Sequence, residues 1–448
     1  MDFRGKEVLI IGAKRSGFGA AELLVREGAR VRVMDAQPLA PDEQAKFDAL
    51  GVQVAVQSED EIHNPDLIVL SPAVPFDLPA LAAARGRGVP VTGEVEMASH
   101  FLKGPIIGIT GSNGKTTTTA LTGHLLKECG IACQVGGNIG IPVSALADSS
   151  REDQWNVLEL SSFQLEAISR FQARIAACLN VTPDHLDRHR SFENYASAKA
   201  RLFETQQEED FAVFNYDDET CRGMAGGARG RVFWFSSSQR PPVGMWMNDR
   251  SIFFNSQAFM ERSQVKLLGT HNLENAMAAA LIAHLTGAKL EAIGPAVASF
   301  PGVEHRIEYV RTLEGVAYYN DSKATNVDAT LKAIDAFPGR LWIILGGKDK
   351  GSDYTPLRVP LKRQAKAVLL IGAEPPYPHA AAPRIREALA GALPVLDCGT
   401  LEAAVRCARE RAQAGDVVLL APACASFDQF ENYEQRGNTF KHLVAELS

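Results

Sequence analysis

The 448-residue sequence contains no apolar run that approaches the roughly 18 residues needed to cross a bilayer, which excludes a helical membrane span. It has no surplus of positive charge. Its 46 Lys and Arg stand against 53 Asp and Glu, a formal net charge of -7. That balance argues against broad binding of nucleic acid or of an anionic membrane and leaves room only for local basic pockets. There is no C-x-x-C pair. The seven cysteines (Cys129, Cys133, Cys178, Cys221, Cys398, Cys407 and Cys424) are odd in number and scattered. They lack the patterned spacing of a disulfide framework or a structural zinc site, and most of them read as small buried hydrophobes of a reducing compartment. Internal repeats and low-complexity tracts are absent as well. The start, Met1 to Glu7, is too charged to lead a secretory signal. The expectation is a soluble, cytoplasmic protein with no membrane insertion.

What the chain does have is alternation. At roughly 150 residues per domain, its length suggests about three domains. Val8 to Ile11, Val31 to Asp35, Val52 to Val56 and Leu67 to Leu70 read as short strands, with a helical segment from Phe18 to Glu27. Strand, helix, strand at this spacing predicts βαβ units and a mostly parallel, Rossmann-like sheet. A second α/β unit begins at Pro105 to Thr110 and continues with strands at Trp155 to Leu160, Ala173 to Asn180 and Phe211 to Asn215. Val232 to Gln264 carries short alternating runs around turn residues, which predicts a small antiparallel addition. Leu273 to Leu285 is alanine-rich and helical, and strands recur at Leu341 to Leu345, Ala367 to Ile371 and Asp416 to Leu420. The expected fold is three α/β domains: 1–93, a central P-loop ATPase-type domain at 94–300 with a mostly parallel sheet, and a C-terminal Rossmann-like domain at 301–448.

The sharpest local signal is Thr110-Gly111-Ser112-Asn113-Gly114-Lys115-Thr116, which follows an apolar strand and opens a helix. Glycines let backbone N–H groups approach phosphate oxygens, and the helix N-terminus adds positive potential. Lys115 would reach the outer phosphates and the Thr116 hydroxyl would ligate Mg²⁺. Position 109, glycine in the strict pattern, is isoleucine, so the loop is a variant. Gly12-Ala13-Lys14-Arg15-Ser16-Gly17 resembles a dinucleotide turn, but Lys14 replaces the glycine that admits a pyrophosphate and so disfavours a nicotinamide cofactor. Lys14 and Arg15 could meet phosphates by charge, with Asp35 free to accept from a ribose or base; a purely structural turn is the alternative. Glu159, at a strand end, sits where a carboxylate would meet Mg²⁺. Asp184-His185-x-Asp187 could supply another ligand. His185 and His189 are four apart, like a helical zinc pair, but Pro183 and the missing intervening glutamate weaken that reading. Composition alone would pass over Lys199 as a surface lysine, and Asp321 with Lys323 as an idle surface pair.

Taken in order, these motifs resemble the ATP-dependent Mur ligases of peptidoglycan precursor synthesis. The segments are T-G-S-N-G-K-T-T at 110–117, Glu159 in L-E-L-S-S-F-Q-L, N-V-T-P-D-H-L-D at 180–187, Lys199, G-T-H-N-L-E-N at 269–275, Glu304-His305-Arg306 and L-G-G-K-D-K at 345–350. Asn320 to Asn326 and Pro422 to Phe430 look like the D-glutamate-adding branch, and no D-N-P-R segment of the diaminopimelate enzymes is present.

The resemblance implies a ligase that phosphorylates the alanine carboxylate of UDP-N-acetylmuramoyl-L-alanine with ATP and lets the D-glutamate amine attack the acyl phosphate. The alternatives are addition of L-glutamate or another amino acid, and a non-ligating P-loop protein. For ATP it implies Gly111, Ser112, Asn113, Gly114, Lys115, Thr116, Thr117, Asn275, Arg306 and Asp321. For metal, with two Mg²⁺ sites, it implies Thr116, Glu159, His185 and Lys199, the lysine carbamylated. For the UDP-substrate it implies Arg15, Ser16, Asp35, Ser71, Asn138, Gln164 and His185. For the amino acid it implies Thr325, Lys350, Ser426 and Tyr433. Lys115, His185, Lys199 and Lys323 would carry the catalysis. The partners expected are small molecules, with no nucleic acid and a monomeric chain.

Overall fold

The computed structural model describes residues 2–57, 62, 64–349, 351–372 and 380–448. Three sheets form; their central strands, such as those at Leu67–Leu70, Ile106–Thr110, Ile175–Cys178 and Leu341–Gly346, are buried throughout, as strands covered on both faces by helices are, while edge strands are more exposed. The first holds β1 (Glu7–Ile11), β2 (Arg30–Asp35), β3 (Gln53–Val56), β4 (Leu67–Leu70) and β5 (Val91–Gly93) in the order β3-β2-β1-β4-β5. Every pairing in it is parallel. The order reverses direction at β1, so a crevice opens at the carboxyl end of that strand, where Gly12 lies.

The second sheet holds β6 (Ile106–Thr110), β7 (Cys133–Gly137), β8 (Trp155–Glu159), β9 (Ile175–Cys178), β10 (Phe211–Asn215), β11 (Arg231–Ser236), β12 (Gly244–Met247), β13 (Ser251–Phe254) and β14 (Gln257–Glu261). Their order is β14-β13-β12-β11-β10-β9-β6-β8-β7. All five residues of β6 are buried, and the helix Lys115–Glu128 starts five residues after the strand ends. The antiparallel addition is smaller than the alternating pattern predicted. β11 runs parallel to β10, and β12 runs parallel to β11; only β12-β13-β14 is antiparallel. Alternation reports which face of a strand is buried and carries no information on the direction of its partner.

The third sheet holds β15 (Glu308–Leu313), β16 (Val316–Asn320), β17 (Leu341–Gly346), β18 (Ala365–Ile371), β19 (Val395–Gly399) and β20 (Val417–Leu420), in the order β15-β16-β20-β17-β18-β19. The β15–β16 hairpin is antiparallel and the remaining pairings are parallel.

The chain packs as two compact units. One comprises 1–266 and 270–300; the other comprises 301–448 together with the short excursion 267–269. Within the first unit, the helix Glu94–Ser99 joins the first sheet to the second through buried carboxylates. Glu96 accepts from the amides of Ser169, Arg170 and Phe171, and Glu94 accepts from the amide of Ser144 at 2.7 Å. Among the described residues no helix is long and apolar enough to cross a membrane.

Candidate active site

The turn after β6 is built to present backbone donors. Gly111 and Gly114 have φ of 152° and 83°, values that favour glycine. A Cβ on Gly114 would lie 2.2 Å from the Asn275 Oδ1, so glycine at this position also lets Asn275 pack against the turn. The Asn113 amide donates to Asn180 Oδ1 at 2.8 Å, and the Ser112 hydroxyl donates to the carbonyl of Thr182 at 3.0 Å. These bonds hold the loop open in front of the helix N-terminus, whose first-turn N–H groups have no intrahelical partner and favour an anion. Lys115 bends back so that its Nζ donates to the carbonyls of Gly111 at 2.7 Å and Ser112 at 3.0 Å. Thr116 and Thr117 are buried at the start of the helix.

Lys199 is not the surface charge its helix would suggest. It is 1% exposed, its Nζ donates to the same Gly111 carbonyl at 2.8 Å, and it lies 4.4 Å from the centre of the Tyr195 ring. Burial, with the Lys115 charge adding to it, pushes its ammonium down to about 7. Glu159 ends β8 at 2% exposure. Its Oε1 accepts from Asn138 Nδ2 at 2.8 Å, while its Oε2 is buried without a hydrogen-bond partner. A buried carboxylate oxygen left without a donor is costly unless a cation satisfies it. Among the described residues, no three His, Cys, Asp or Glu converge on one metal position. A lone carboxylate oxygen beside a phosphate-binding turn suits Mg²⁺, which takes one or two protein oxygens and completes its shell with water and phosphate.

His185 sits just beyond β9 in left-handed backbone (φ 52°), half exposed, its ring centroid 4.9 Å from that of Phe163. The possible zinc pair does not form. The His189 ring is buried and engaged at both nitrogens, Nε2 with the Ser162 hydroxyl at 3.0 Å and Nδ1 with Glu166 Oε1 at 3.2 Å. Gln164 is buried and its Oε1 accepts from the Ser161 amide at 2.9 Å, which caps the short helix that follows β8.

At the turn after β1 two expectations need correction. Lys14 does not face the turn as a free phosphate ligand; its Nζ pairs with Glu43 at 2.8 Å, because the helix Pro41–Ala49 brings that carboxylate within reach. Asp35 is not free either: its Oδ2 accepts from the Ala13 amide at 2.7 Å and its Oδ1 from the Gln37 amide at 3.2 Å. Each oxygen keeps acceptor capacity for a ligand. Ser71 donates its hydroxyl to the Gly12 carbonyl at 3.0 Å, and a Cβ on Gly12 would fall 2.6 Å from Ser71 Cβ. Arg15, exposed, and Ser16, half-buried, open the helix Arg15–Arg26.

In the second unit the residues gather at the carboxyl ends of β16 and β20. Asp321 is buried, and desolvation pushes its carboxyl up to about 7 against the opposing pull of Arg306, the Ile307 amide and Lys323. Lys323 Nζ lies 5.3 Å from the centre of the Tyr433 ring, and the Thr325 amide donates to the Lys323 carbonyl at 2.8 Å. Ser426 is buried, and its carbonyl accepts from the Phe430 amide at 2.9 Å. Arg306 is exposed. Lys350 lies outside the described residues.

Arg436 was not singled out from the sequence. It is 1% exposed and donates to the Ser322 hydroxyl (3.0 Å), the Ser322 carbonyl (2.8 Å) and the Cys424 carbonyl (3.2 Å). One side chain thereby ties the Lys323 loop to the Ser426 loop. His305, Ile307 and Ala423 all take positive φ, and such strain in non-glycine residues persists where neighbouring structure enforces it. No periodicity or motif in the sequence announces that kind of constraint.

A strand-turn-helix phosphate cradle in one unit, and a second Rossmann-like unit with a basic, aromatic-lined loop cluster, define an α/β ligase architecture. Residues 6–93 match the MurD-like N-terminal domain of Mur ligases, 109–283 the Mur ligase middle domain, and 305–424 the glutamate ligase domain of Mur ligases. The chain belongs to the Mur ligase family, and ATP-dependent ligation of an amino acid is the chemistry that membership carries.

It is 55% identical over 444 residues to the UDP-N-acetylmuramoylalanine–D-glutamate ligase of Solibacter usitatus, covering 99% of this chain and 98% of that one. It is 49% identical to the ligase of the same name from Acidobacterium capsulatum, covering 99% and 97%. The fold is similar to that of the UDP-N-acetylmuramate–alanine ligase of Thermotoga maritima, with a TM-score of 0.62 at 19% identity over 98% of this chain and 99% of that one.

Proposed function

We propose that this chain joins D-glutamate to UDP-N-acetylmuramoyl-L-alanine at the expense of ATP, the activity named for its relatives. The observation that carries the reading is the Gly111–Gly114 turn, with Lys115 folded over the Gly111 carbonyl, at the N-terminus of the helix Lys115–Glu128. The Lys115 cation and a helix terminus favour a polyphosphate and the charge that develops as its outer phosphoryl moves. A carboxylate is a poor electrophile. An oxygen of the alanine carboxylate attacks the γ-phosphorus, ADP leaves, and the acyl phosphate forms. The D-glutamate amine then attacks the acyl carbon and loses a proton, and inorganic phosphate departs with the C–O bonding pair.

In this reading residues 1–93 bind the UDP-substrate, 94–300 bind ATP and 301–448 bind the amino acid. Arg15, Ser16, Asp35 and Ser71 hold the UDP end, and Asn138, Gln164 and His185 hold the muramoyl-alanine arm. The turn 111–117, Asn275, Arg306 and Asp321 hold ATP. Lys323 neutralises the acyl phosphate. Thr325, Lys350, Ser426 and Tyr433 receive the amino acid. Thr116 and Glu159 would hold one Mg²⁺, which would offset the charge of the phosphates. His185 and Lys199 would serve a second, Lys199 as its carbamate: an amine held near a pKa of 7 offers the neutral form that adds to CO₂ with loss of a proton. The enzyme works as a cytoplasmic monomer.

Phosphate release with ATP, Mg²⁺ and UDP-N-acetylmuramoyl-L-alanine, run against D-Glu, L-Glu, D-Asp, L-Lys and meso-diaminopimelate, tests the proposal. Release with D-Glu alone, and a product heavier by one glutamyl residue, is expected. Release with L-Glu alone would overturn the stereochemistry, and release indifferent to both co-substrates would overturn the ligase reading.

A further inference from the structure

The single-turn helix Leu186–His189 is too short to hold itself, and it is bounded on both sides by left-handed residues, His185 (φ 52°) and Arg190 (φ 68°). Side chains hold it instead. Arg188, 16% exposed at its side chain, donates through Nη2 to Glu166 Oε2 at 2.8 Å and to the Val74 carbonyl at 3.1 Å, and through Nη1 to the Ala73 carbonyl at 3.3 Å. Its guanidinium carbon stands 4.8 Å from the centre of the Phe163 ring, the same ring that packs on His185. The other oxygen of Glu166 meets His189 Nδ1, and His189 Nε2 meets the Ser162 hydroxyl. One guanidinium, borne on the segment that displays His185, thus ties it to two others: the loop just after Ser71 and the capped turn carrying Gln164.

We propose that Arg188 is a positioning residue that couples occupancy of the nucleotide-sugar loop, through Glu166 and Phe163, to the placement of His185. The inference rests on the functional reading above for what the two ends bind. Every partner named for the Arg188 guanidinium belongs to the protein itself. Its bonds to Ala73 and Val74 are to carbonyls, so they report the position of the loop whatever its side chains are. A planar fork with several donors is suited to such a three-way tie, and lysine, with one point charge, keeps the Glu166 pair but cannot hold both carbonyls in the same geometry. Because coupling is reciprocal, a metal that engages His185 tightens nucleotide-sugar binding by the factor with which the sugar tightens the metal.

The experiment is calorimetric binding of UDP-N-acetylmuramoyl-L-alanine to the full-length protein with and without Mg²⁺, for wild type, Arg188→Ala, Arg188→Lys and Glu166→Gln. ADP affinity and thermal midpoint are measured in parallel. Mg²⁺ is expected to tighten sugar binding to wild type about 10-fold or more, within the range of outer-shell effects on metal sites. In Arg188→Ala and Arg188→Lys that enhancement falls toward one while ADP affinity stays within about twofold; Glu166→Gln lies between.

A sugar affinity whose Mg²⁺ dependence survives in Arg188→Lys overturns the proposal. So does a parallel loss of sugar affinity, ADP affinity and thermal midpoint in that variant, which is the signature of a merely structural role. If Arg188→Ala does not fold, Arg188→Lys, which keeps charge and length, decides alone. Should wild type bind the sugar yet fail to ligate, the functional reading falls while the coupling measurement still stands, because its readout is binding.

Discussion

Lys199 in one unit and Asp321 in the other are opposite in charge and meet the same fate. Each is buried, each places its charge at the carboxyl end of a strand (Lys199 from a helix, onto the Gly111 carbonyl beyond β6; Asp321 directly after β16), and burial brings each to a pKa of about 7, the lysine from above and the aspartate from below. Asp416, in the same unit as Asp321, shows the opposite outcome. Its carboxylate has no exposed surface, so burial acts against it. Yet donors from Lys366, the Gln413 amide, Arg340 and Trp342 outweigh that and hold it down at about 2. The difference teaches that burial alone does not mark a site. Asp416 is fully satisfied by its own protein, whereas Lys199 and Asp321 are held where neither charge state is comfortable, a condition that a ligand relieves.

The comparison breaks most visibly at Lys199. Lys199→Met should lower turnover about 10³-fold, the scale of losing a preorganised charge at phosphoryl transfer. A lysine with a depressed folded pKa destabilises the native state fully below pH 7, and the penalty fades as pH rises from 7 toward 10.5. The impaired variant should therefore be more stable than wild type at pH 6, by on the order of 3 kcal/mol, and the gain should already be markedly smaller at pH 9. Urea unfolding at the two pH values checks it, and a variant less stable at pH 6 would contradict the burial argument.

Asp321→Asn should do the reverse along the pH axis. A raised carboxyl leaves the native state unpenalised below about pH 4 and fully penalised above 7. The variant's gain should appear at pH 8, on the order of 3 kcal/mol, and vanish at pH 4. Its ATP KM should rise about 10-fold, the value of one hydrogen bond to a charged acceptor.

Asp416→Asn sharpens the contrast, since it should cost about 2 kcal/mol at pH 7. Here the folded pKa is depressed, so the stabilisation is complete above pH 3.8 and is lost as pH falls toward 2. Denaturant midpoints at pH 7 and pH 3 should differ for wild type and converge for the variant. The smallest effect belongs to Lys14→Ala. Its exposed pair with Glu43 predicts a UDP-substrate KM within about threefold of wild type and an unchanged thermal midpoint. A tenfold rise would restore Lys14 as a phosphate contact.

The phosphate cradle was legible because its chemistry is local. An apolar strand, two glycines needing positive φ, a lysine and a helix start occupy ten consecutive residues, and sequence order alone brings them together. Glu159 was legible for a similar reason, as the last residue of an apolar strand. Lys199 was not legible from composition. Its burial depends on Tyr195 and on the carbonyl of Gly111, 88 positions away, so only the family resemblance pointed to it. Arg436 escaped both kinds of reading, since a helical arginine looks solvated until two distant loops close over it. At the first turn the engagement of Lys14 by Glu43 was not legible, because it needed a helix whose packing no local pattern encodes.

The excursion of residues 267–269 into the second unit makes the chain cross between units three times, and Leu268 packs against the core of that unit. A cut at position 300 therefore does not liberate an intact module, because the fragment 301–448 leaves behind an apolar patch that residue 268 would have covered. Modular exchange between relatives, whether by recombination in evolution or by grafting in the laboratory, has to carry a tripeptide from upstream along with the C-terminal segment. Inheritance in this protein is discontinuous: what is swapped as one piece in space is two pieces in the gene.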